Sequence, residues 1–362
     1  MVMIPPLSES AEAQERGQEM EPMSRRPTLR DVAKLANVSL MTASRALNGQ
    51  DRVAAETRQR VMAVAQELGY RPSQSARVLR TNESKVIGLF STILSLPLRI
   101  EIIMGVRDAA AQLGHKVMLE VNIPDDGEAI PFSTDGDLVF DNVVSSTLQD
   151  FRRTVRLMGI SEHLDSVGSD LSEATYVATT HLVDRGYRRI GLIQHSGATP
   201  RIGRSAALRD LGVPDEDHED LVQYVRYDDD GVIEAVDQLL DLPKPPDALV
   251  VVNVAGTPVA LRALQNAGVH AGTDIGFVGT EVTRTEWGDL LTPSITTIKI
   301  PAYRIGAAGA QRLIERLRGD TSQPQIVDFP ARLVIRDSTK GPGGLRGTRD
   351  LIRGIADGGS NS

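Results

Sequence analysis

From Val86 to about residue 340 short apolar runs alternate with amphipathic stretches of helical period, and this rhythm constrains the chain more than any other feature. VIGLF at 86–90 is followed by a helical pattern from Arg99 to Leu113 and then by HKVMLEV at 115–121. YRRIGLI (187–193), PDALVVV (246–252) and DIGFVG (274–279) repeat the strand signal. Ala174–Asp184, Gly231–Leu240, Thr257–Asn266 and Pro301–Leu317 repeat the helical one. Strands this apolar, separated by helices, are satisfied by parallel sheets with both faces covered. The expected fold of residues 83–340 is therefore α/β.

The sixty residues before Val86 follow a different period. Thr28 is a good N-cap for LRDVAKLA, with Asp31 at the third helical position and Leu29, Val32, Ala33 and Ala36 on one apolar face. Asn37-Val38 breaks the pattern, and Asn tolerates the left-handed backbone that a tight interhelical turn requires. Ser39 then caps a helix from Leu40 to Leu47, which Asn48-Gly49 ends. Its Ala43, Ala46 and Leu47 face a core, while Leu40, Met41, Thr42, Ser44 and Arg45 project outward. A third helix from about Ala55 to Leu68 turns Val61, Val64, Ala65 and Leu68 inward and Arg58 and Arg60 outward, and Gly69 terminates it. Three short helices around small apolar residues make an all-α helix-turn-helix bundle. Taken alone, the second helix admits another reading, with Leu40 and Met41 in the core and Arg45 a solvated charge.

Charge divides along the same line. The net charge of -8 is unpromising for a nucleic-acid binder until it is split by region. Residues 24–81 hold eleven Lys and Arg against four acids, a net +7, whereas Met1–Met23 carries five Glu against one Arg and the remainder is strongly acidic. A basic module on an acidic body is expected when one part touches phosphate and the other avoids it. The first 25 residues read as a disordered acidic tail without a secretory signal. No apolar run approaches a membrane span, so the expected location is the cytoplasm. With no cysteine, disulfides, thiol nucleophiles and Cys-based zinc sites are excluded.

Beyond the third helix lies Arg71-Pro72-Ser73-Gln74-Ser75-Ala76-Arg77-Val78-Leu79-Arg80, with Pro at a helix start and a short amphipathic turn behind it. TLRDVAKLANVSLMTASRALNG, the third helix and GYRPSQSARVLR, in that order, resemble the LacI/GalR (lactose-repressor and galactose-repressor) family of transcriptional regulators. The resemblance implies a homodimer on a palindromic operator in double-stranded DNA. It places Leu40, Met41 and Arg45 at base edges in the major groove, and Thr42, Ser44 and the Thr28 cap near phosphates. It makes residues 72–82 a hinge helix in the minor groove, with Leu79 prying open a base step and Ser73 and Ala76 lining the groove. The other reading of that segment is a linker helix packed on the body with Leu79 buried.

For the body the resemblance implies a two-lobed, periplasmic-binding-protein-like domain with a ligand cleft between parallel-sheet lobes. HLVDRGYRRIGLI, GTDIGFVG and PSITTIKIPAYRIGAAGAQRLIERL carry it. Cleft positions depart from the family's pattern. Leu96-Pro97-Leu98-Arg99 stands where an aromatic platform is usual, Asn253-Val254 lacks a carboxylate, and Thr280-Glu281-Val282 replaces Phe-Asp-Asp. The resemblance points to Asp170, Arg204, Glu281 and Trp287 as the effector contacts. Their mundane alternatives are a helix cap for Asp170, a surface charge for Arg204 and lid packing for Trp287. NIPDDGEAIPFSTDGDL at 122–138 shows no helical period, so one face of that lobe is expected to be trimmed. The effector, if any, departs from a simple monosaccharide. Residues 341–362 lack the leucine heptad of tetrameric relatives and read as a flexible tail.

Enzyme motifs are lacking: no Walker loop, G-x-G-x-x-G, G-x-S-x-G or H-E-x-x-H occurs. His181 and His195 have no second ligand at useful spacing, so neither metal nor cofactor is expected. Asp228-Asp229-Asp230 reads as a solvated loop. Two rivals share the body's fold: a transport-type solute-binding protein, and a regulator controlled by a partner or by its own level without a ligand.

Overall fold

The computed structural model describes residues 27–47, 53–70, 83–91, 97–121, 134–140, 153–159, 163–195, 199–215, 218–226, 228–282 and 287–341. The chain divides into two compact units, residues 1–82 and 83–362.

The first unit contains α1 (Leu29–Leu35), α2 (Leu40–Leu47) and α3 (Ala55–Glu67). Thr28 and Asp31 form a capping box: the Thr28 amide donates to Asp31 Oδ2 at 2.8 Å, and the Asp31 amide donates back to Thr28 Oγ1 at 3.4 Å. Asn37 adopts a left-handed backbone, φ 52°, between α1 and α2, and Gly69 does the same, φ 64°, after α3. The core is built from Val32, Ala33, Ala36, Ala43, Ala46, Val61 and Ala65. Alanines let three short helices approach closely, and Arg60 of α3 locks the corner by donating from Nε to the Ala36 carbonyl at 3.1 Å. That contact satisfies an orphan carbonyl at the end of α1, so Arg60 is more than the outward-facing charge expected.

The second unit holds two six-stranded sheets. In the proximal lobe β1 (Val86–Ser91), β2 (Lys116–Val121), β3 (Gly136–Phe140), β4 (Thr154–Leu157), β5 (Asp165–Gly168) and β11 (Ile326–Asp328) pair in parallel, in the order β11-β5-β4-β3-β1-β2. In the distal lobe β6 (Ile190–His195), β7 (Val222–Val225), β8 (Ala248–Val252), β9 (Gly276–Val282), β10 (Thr296–Ile300) and β12 (Arg332–Val334) take the order β12-β10-β9-β8-β6-β7. Only β12 runs antiparallel to its neighbour among these pairings. Helices α4 (Pro97–Gln112) and α9 (Ala302–Leu317) belong to the proximal lobe. The distal lobe carries α5 (Leu171–Asp184), α6 (Pro200–Asp210), α7 (Asp229–Leu240) and α8 (Gly256–Asn266). Among the described residues no helix is long and apolar enough to cross a membrane.

Among the described residues the chain crosses between sheets three times, at β5 to α5, at β10 to α9 and at β11 to β12. The crossings are bonded to each other. The Phe329 amide donates to the Gly168 carbonyl at 2.8 Å, the Asp170 amide donates to Asp328 Oδ1 at 2.9 Å, and the Arg304 guanidinium stacks 4.9 Å from the Phe329 ring centroid. Glycines set the helix packing of the proximal lobe: a Cβ on Gly105 would lie 2.0 Å from the Tyr303 carbonyl oxygen, and one on Gly306 would lie 2.0 Å from that of Ile102. Helices α4 and α9 therefore meet backbone to backbone.

Several elements differ from expectation, each for a local reason. Helix α4 begins at Pro97 rather than Arg99, because Pro suits the first turn. Helix α5 begins at Leu171 rather than Ala174 because Asp170 caps it. Asp228-Asp229-Asp230 is not a loop: Asp228 Oδ1 accepts from the Gly231 amide at 2.7 Å and starts α7, with Asp229 and Asp230 in its first turn. Such acids suit the positive end of a helix. Strands β3, β4, β5 and β7 escape sequence reading because each has only four or five residues, some polar. Gly136–Phe140 lies partly in a segment read as irregular.

Candidate nucleic-acid interface and effector lobes

Helix α2 owes its position to its alanines. Ala43 and Ala46 are buried against α1 and α3, which turns the opposite face to solvent. Leu40 is 48% exposed and Met41 63%, so the reading that puts them in the core is excluded. Ser39 caps the helix, its Oγ accepting from the Thr42 amide at 3.0 Å and sharing a hydrogen bond with Thr42 Oγ1 at 2.8 Å. Ser44 and Arg45 follow on the same helix, both half-buried. Thr28 is the cap expected of it: its hydroxyl donates to Asp31 Oδ2 at 2.6 Å inside the capping box. Ser73, Ala76 and Leu79, with the whole of 72–82, lie outside the described residues, as do Asn48-Gly49 and the two tails.

In parallel sheets ligands sit outside the carboxyl ends of the strands. The structure corrects the expectation for Arg204. Its side chain is fully buried, with Nε donating to the carbonyl of Ile190, the first residue of β6, at 2.8 Å. Nη1 and Nη2 grip the Asp215 carboxylate at 2.9 and 2.7 Å. Arg204 thus reaches the amino end of β6, away from the end where ligands sit. The reading as a surface charge fails too.

Glu281 also departs from expectation. It is 0% exposed, accepts from the Gly288 amide at 3.3 Å and pairs with Arg336 Nη2 at 3.3 Å. Arg336 in turn holds both oxygens of Asp289, the Ile295 carbonyl and Thr297 Oγ1. Burial alone would lower the Arg336 pKa, but the bonds to Asp289 and the charge of Glu281 outweigh it and raise it. Arg336 holds the Asp289 carboxyl below the ordinary carboxylate range. The pair pins the short 3₁₀ helix Trp287–Leu290 onto the distal lobe. Trp287 is half-buried and packs against the distal core.

Asp170 is exposed at the first crossing, where Oδ1 accepts from the Ser172 and Glu173 amides at 2.8 and 3.2 Å. It is a helix cap, as its mundane reading had it, and also stands at the junction of the lobes. Sequence reasoning missed Arg99, treating its segment only as a lost aromatic platform. Arg99 is 3% exposed beside the carboxyl ends of β1 and β3; its Nη1 donates to Ser91 Oγ, and its guanidinium lies 4.6 Å from the Phe140 ring centroid. No local signal separates a buried Arg from a solvated one in a first helical turn.

The two histidines singled out in sequence take structural partners: His181 Nε2 lies 2.8 Å from Thr339 Oγ1, and His195 Nδ1 lies 2.9 Å from the Val225 carbonyl oxygen. Burial, with the nearby Arg185 charge, lowers the His181 pKa. Among the described residues no three His, Asp or Glu side chains gather in a group able to hold a metal.

Comparisons with known proteins agree with this layout. Residues 28–73 match the model for bacterial regulatory proteins of the lacI family, and residues 179–339 match that for a periplasmic binding protein-like domain. The chain is similar to the HTH-type transcriptional regulator PtxS of Pseudomonas putida, 29% identical over 87% of this chain and 96% of that one. It is similar to the HTH-type transcriptional repressor PurR of Photobacterium profundum, 27% identical over 86% and 98%. It is also similar to the catabolite control protein A of Priestia megaterium, 26% identical over 86% and 99%. Among solved structures, the transcriptional regulator CelR in complex with cellobiose is 25% identical with a TM-score of 0.63, covering 86% of this chain and 100% of that one. The Lac repressor dimer bound to operator and the anti-inducer ONPF shares the fold, with a TM-score of 0.75 at 24% identity over 87% and 99%.

Proposed function

Because the chain belongs to the lacI family of bacterial regulatory proteins, we propose that it represses transcription as a homodimer on a near-palindromic operator. Helix α2 of each copy enters the major groove of one half-site, with Leu40, Met41 and Arg45 toward base edges and Thr42 and Ser44 toward phosphates. Thr28 acts through the helix that it caps. Residues 72–82 form the hinge in the minor groove, where Leu79 wedges a base step beside Ser73 and Ala76. The domains that go with this reading are a tail to residue 25, the DNA-binding module at 26–71, the hinge, the effector and dimerisation body at 83–340 and a second tail. Catalysis has no part in it, and the protein works in the cytoplasm away from membranes.

One observation carries the reading: a module of net +7 in a chain of net charge -8 turns the polar and apolar side chains of α2 outward from a core of alanines. The test is selection of random duplexes by the full-length protein at physiological salt, beside Leu79→Ala. A palindrome enriched by the parent protein and bound about tenfold or more weakly by Leu79→Ala is expected. No enrichment overturns the reading.

For the body we propose a small-molecule effector held by Asp170 and Trp287, with Arg99, Arg204 and Glu281, all buried, serving the scaffold. An effector changes operator affinity only by binding the two lobe arrangements unequally. A second reading, control by a partner protein or by protein level, is favoured by the enclosure of Arg204 and Glu281. A metabolite pool that alters affinity for the selected duplex decides for the effector; indifference to every metabolite decides for the second reading.

A further inference from the structure

The first turn of α2 lacks the groups that read bases by paired hydrogen bonds. Adenine takes Asn or Gln, guanine takes Arg or Lys, and cytosine takes Asp or Glu. Leu40, Met41, Thr42 and Ala43 include none of these. The two hydroxyls at this end, on Ser39 and Thr42, are turned onto the start of the helix and onto each other. What the turn presents is apolar surface, two large side chains about half exposed or more in front of buried alanines. The apolar group that a base pair displays in the major groove is the thymine 5-methyl.

Resting on the assignment of α2 as the recognition helix, we infer that Leu40 and Met41 read thymine 5-methyl groups in neighbouring base pairs of each half-site. Arg45, on the last turn of the same helix, supplies the hydrogen-bonded base contact. Methyl reading is directional in chemistry. It favours thymine over cytosine on the same strand, and it gains from 5-methylation of cytosine. An unbranched thioether at Met41 adjusts to the methyl's position more readily than a branched chain would, so Leu40 is the stricter reader of the two.

The size of the effect follows from burial. Withdrawing one methyl from an apolar contact weakens binding about fourfold, and about fifteenfold when the equivalent thymine is changed in both half-sites.

The experiment uses the full-length protein and the duplex it enriches from random sequence. Each thymine, on either strand, is replaced in turn by deoxyuridine, which removes the methyl and leaves pairing and protein untouched. Expected are one or two positions per half-site where uracil weakens binding by these factors. At those positions 5-methylcytosine should bind better than cytosine, and Leu40→Ala or Met41→Ala should make its own position indifferent to the methyl. A selected duplex with no uracil-sensitive position, or with sensitivity that survives both variants, overturns methyl reading while DNA binding stands. Failure to enrich any duplex overturns the assignment of α2 and the inference with it.

Discussion

In α2 the side chains opposite a core of alanines, Leu40 and Met41 foremost, face solvent. In the body, Arg204 and Glu281 carry the charges that a ligand would want, yet both are enclosed by the protein. The contrast follows from the size of the units. Three short helices bury one narrow face each and have no room to enclose an arginine, so Arg30, Arg45, Arg58 and Arg60 stay exposed or half-buried. Two six-stranded sheets with helices on both faces have deep interiors, where a charge survives only with a partner. Arg204 has Asp215, and Glu281 has Arg336.

That contrast can be broken experimentally. The largest effect belongs to Arg204→Ala, which abandons Asp215 and the Ile190 carbonyl. Loss of one member of a buried pair costs about 3 kcal/mol, read as a lower urea midpoint for the body. Near-parental stability with a lost metabolite response would return Arg204 to the cleft. Next is Gly306→Ala, whose methyl meets the Ile102 carbonyl oxygen. Overpacking there should cost about 2 kcal/mol in the same assay, and a neutral result would mean that α4 and α9 separate easily.

Asp170 sharpens the comparison, since it combines a cap with a place between the lobes. Asp170→Ala should cost about 1 kcal/mol and Asp170→Asn much less, because Asn also caps. A metabolite response lost in Asp170→Asn with stability retained assigns the charge to the effector. His181 gives a smaller effect with a definite sign. Its folded pKa lies below the ordinary value near 6.5, so the unfolded chain binds more protons on the acid side. The stabilisation is complete above about pH 6.5, falls as the pH drops through that value and levels off once the folded histidine protonates. His181→Gln should flatten that part of a pH-resolved melting curve. The smallest change is expected at Met41→Ala, within about 0.5 kcal/mol of parental stability, although its DNA preference shifts.

Features that depend on near neighbours were legible along the chain. The capping box of Thr28 and Asp31, the left-handed turn at Asn37, the alanine core of α1–α3 and the strand–helix rhythm after Val86 all act within a few residues, so their period and chemistry could be read directly. Short strands such as β4 and β5 could not be, because four residues make no period and their identity comes from neighbours in the sheet. Site residues divide in the same way. The outward face of α2 was legible because 3.6-residue periodicity decides it. Long-range packing alone sets Glu281 against Arg336, 55 residues away, turns Arg204 to the amino end of β6, and lays Arg99 against Phe140. Burial of a charge depends on which distant segments pack over it, and a side chain carries no mark of that in its own stretch of sequence.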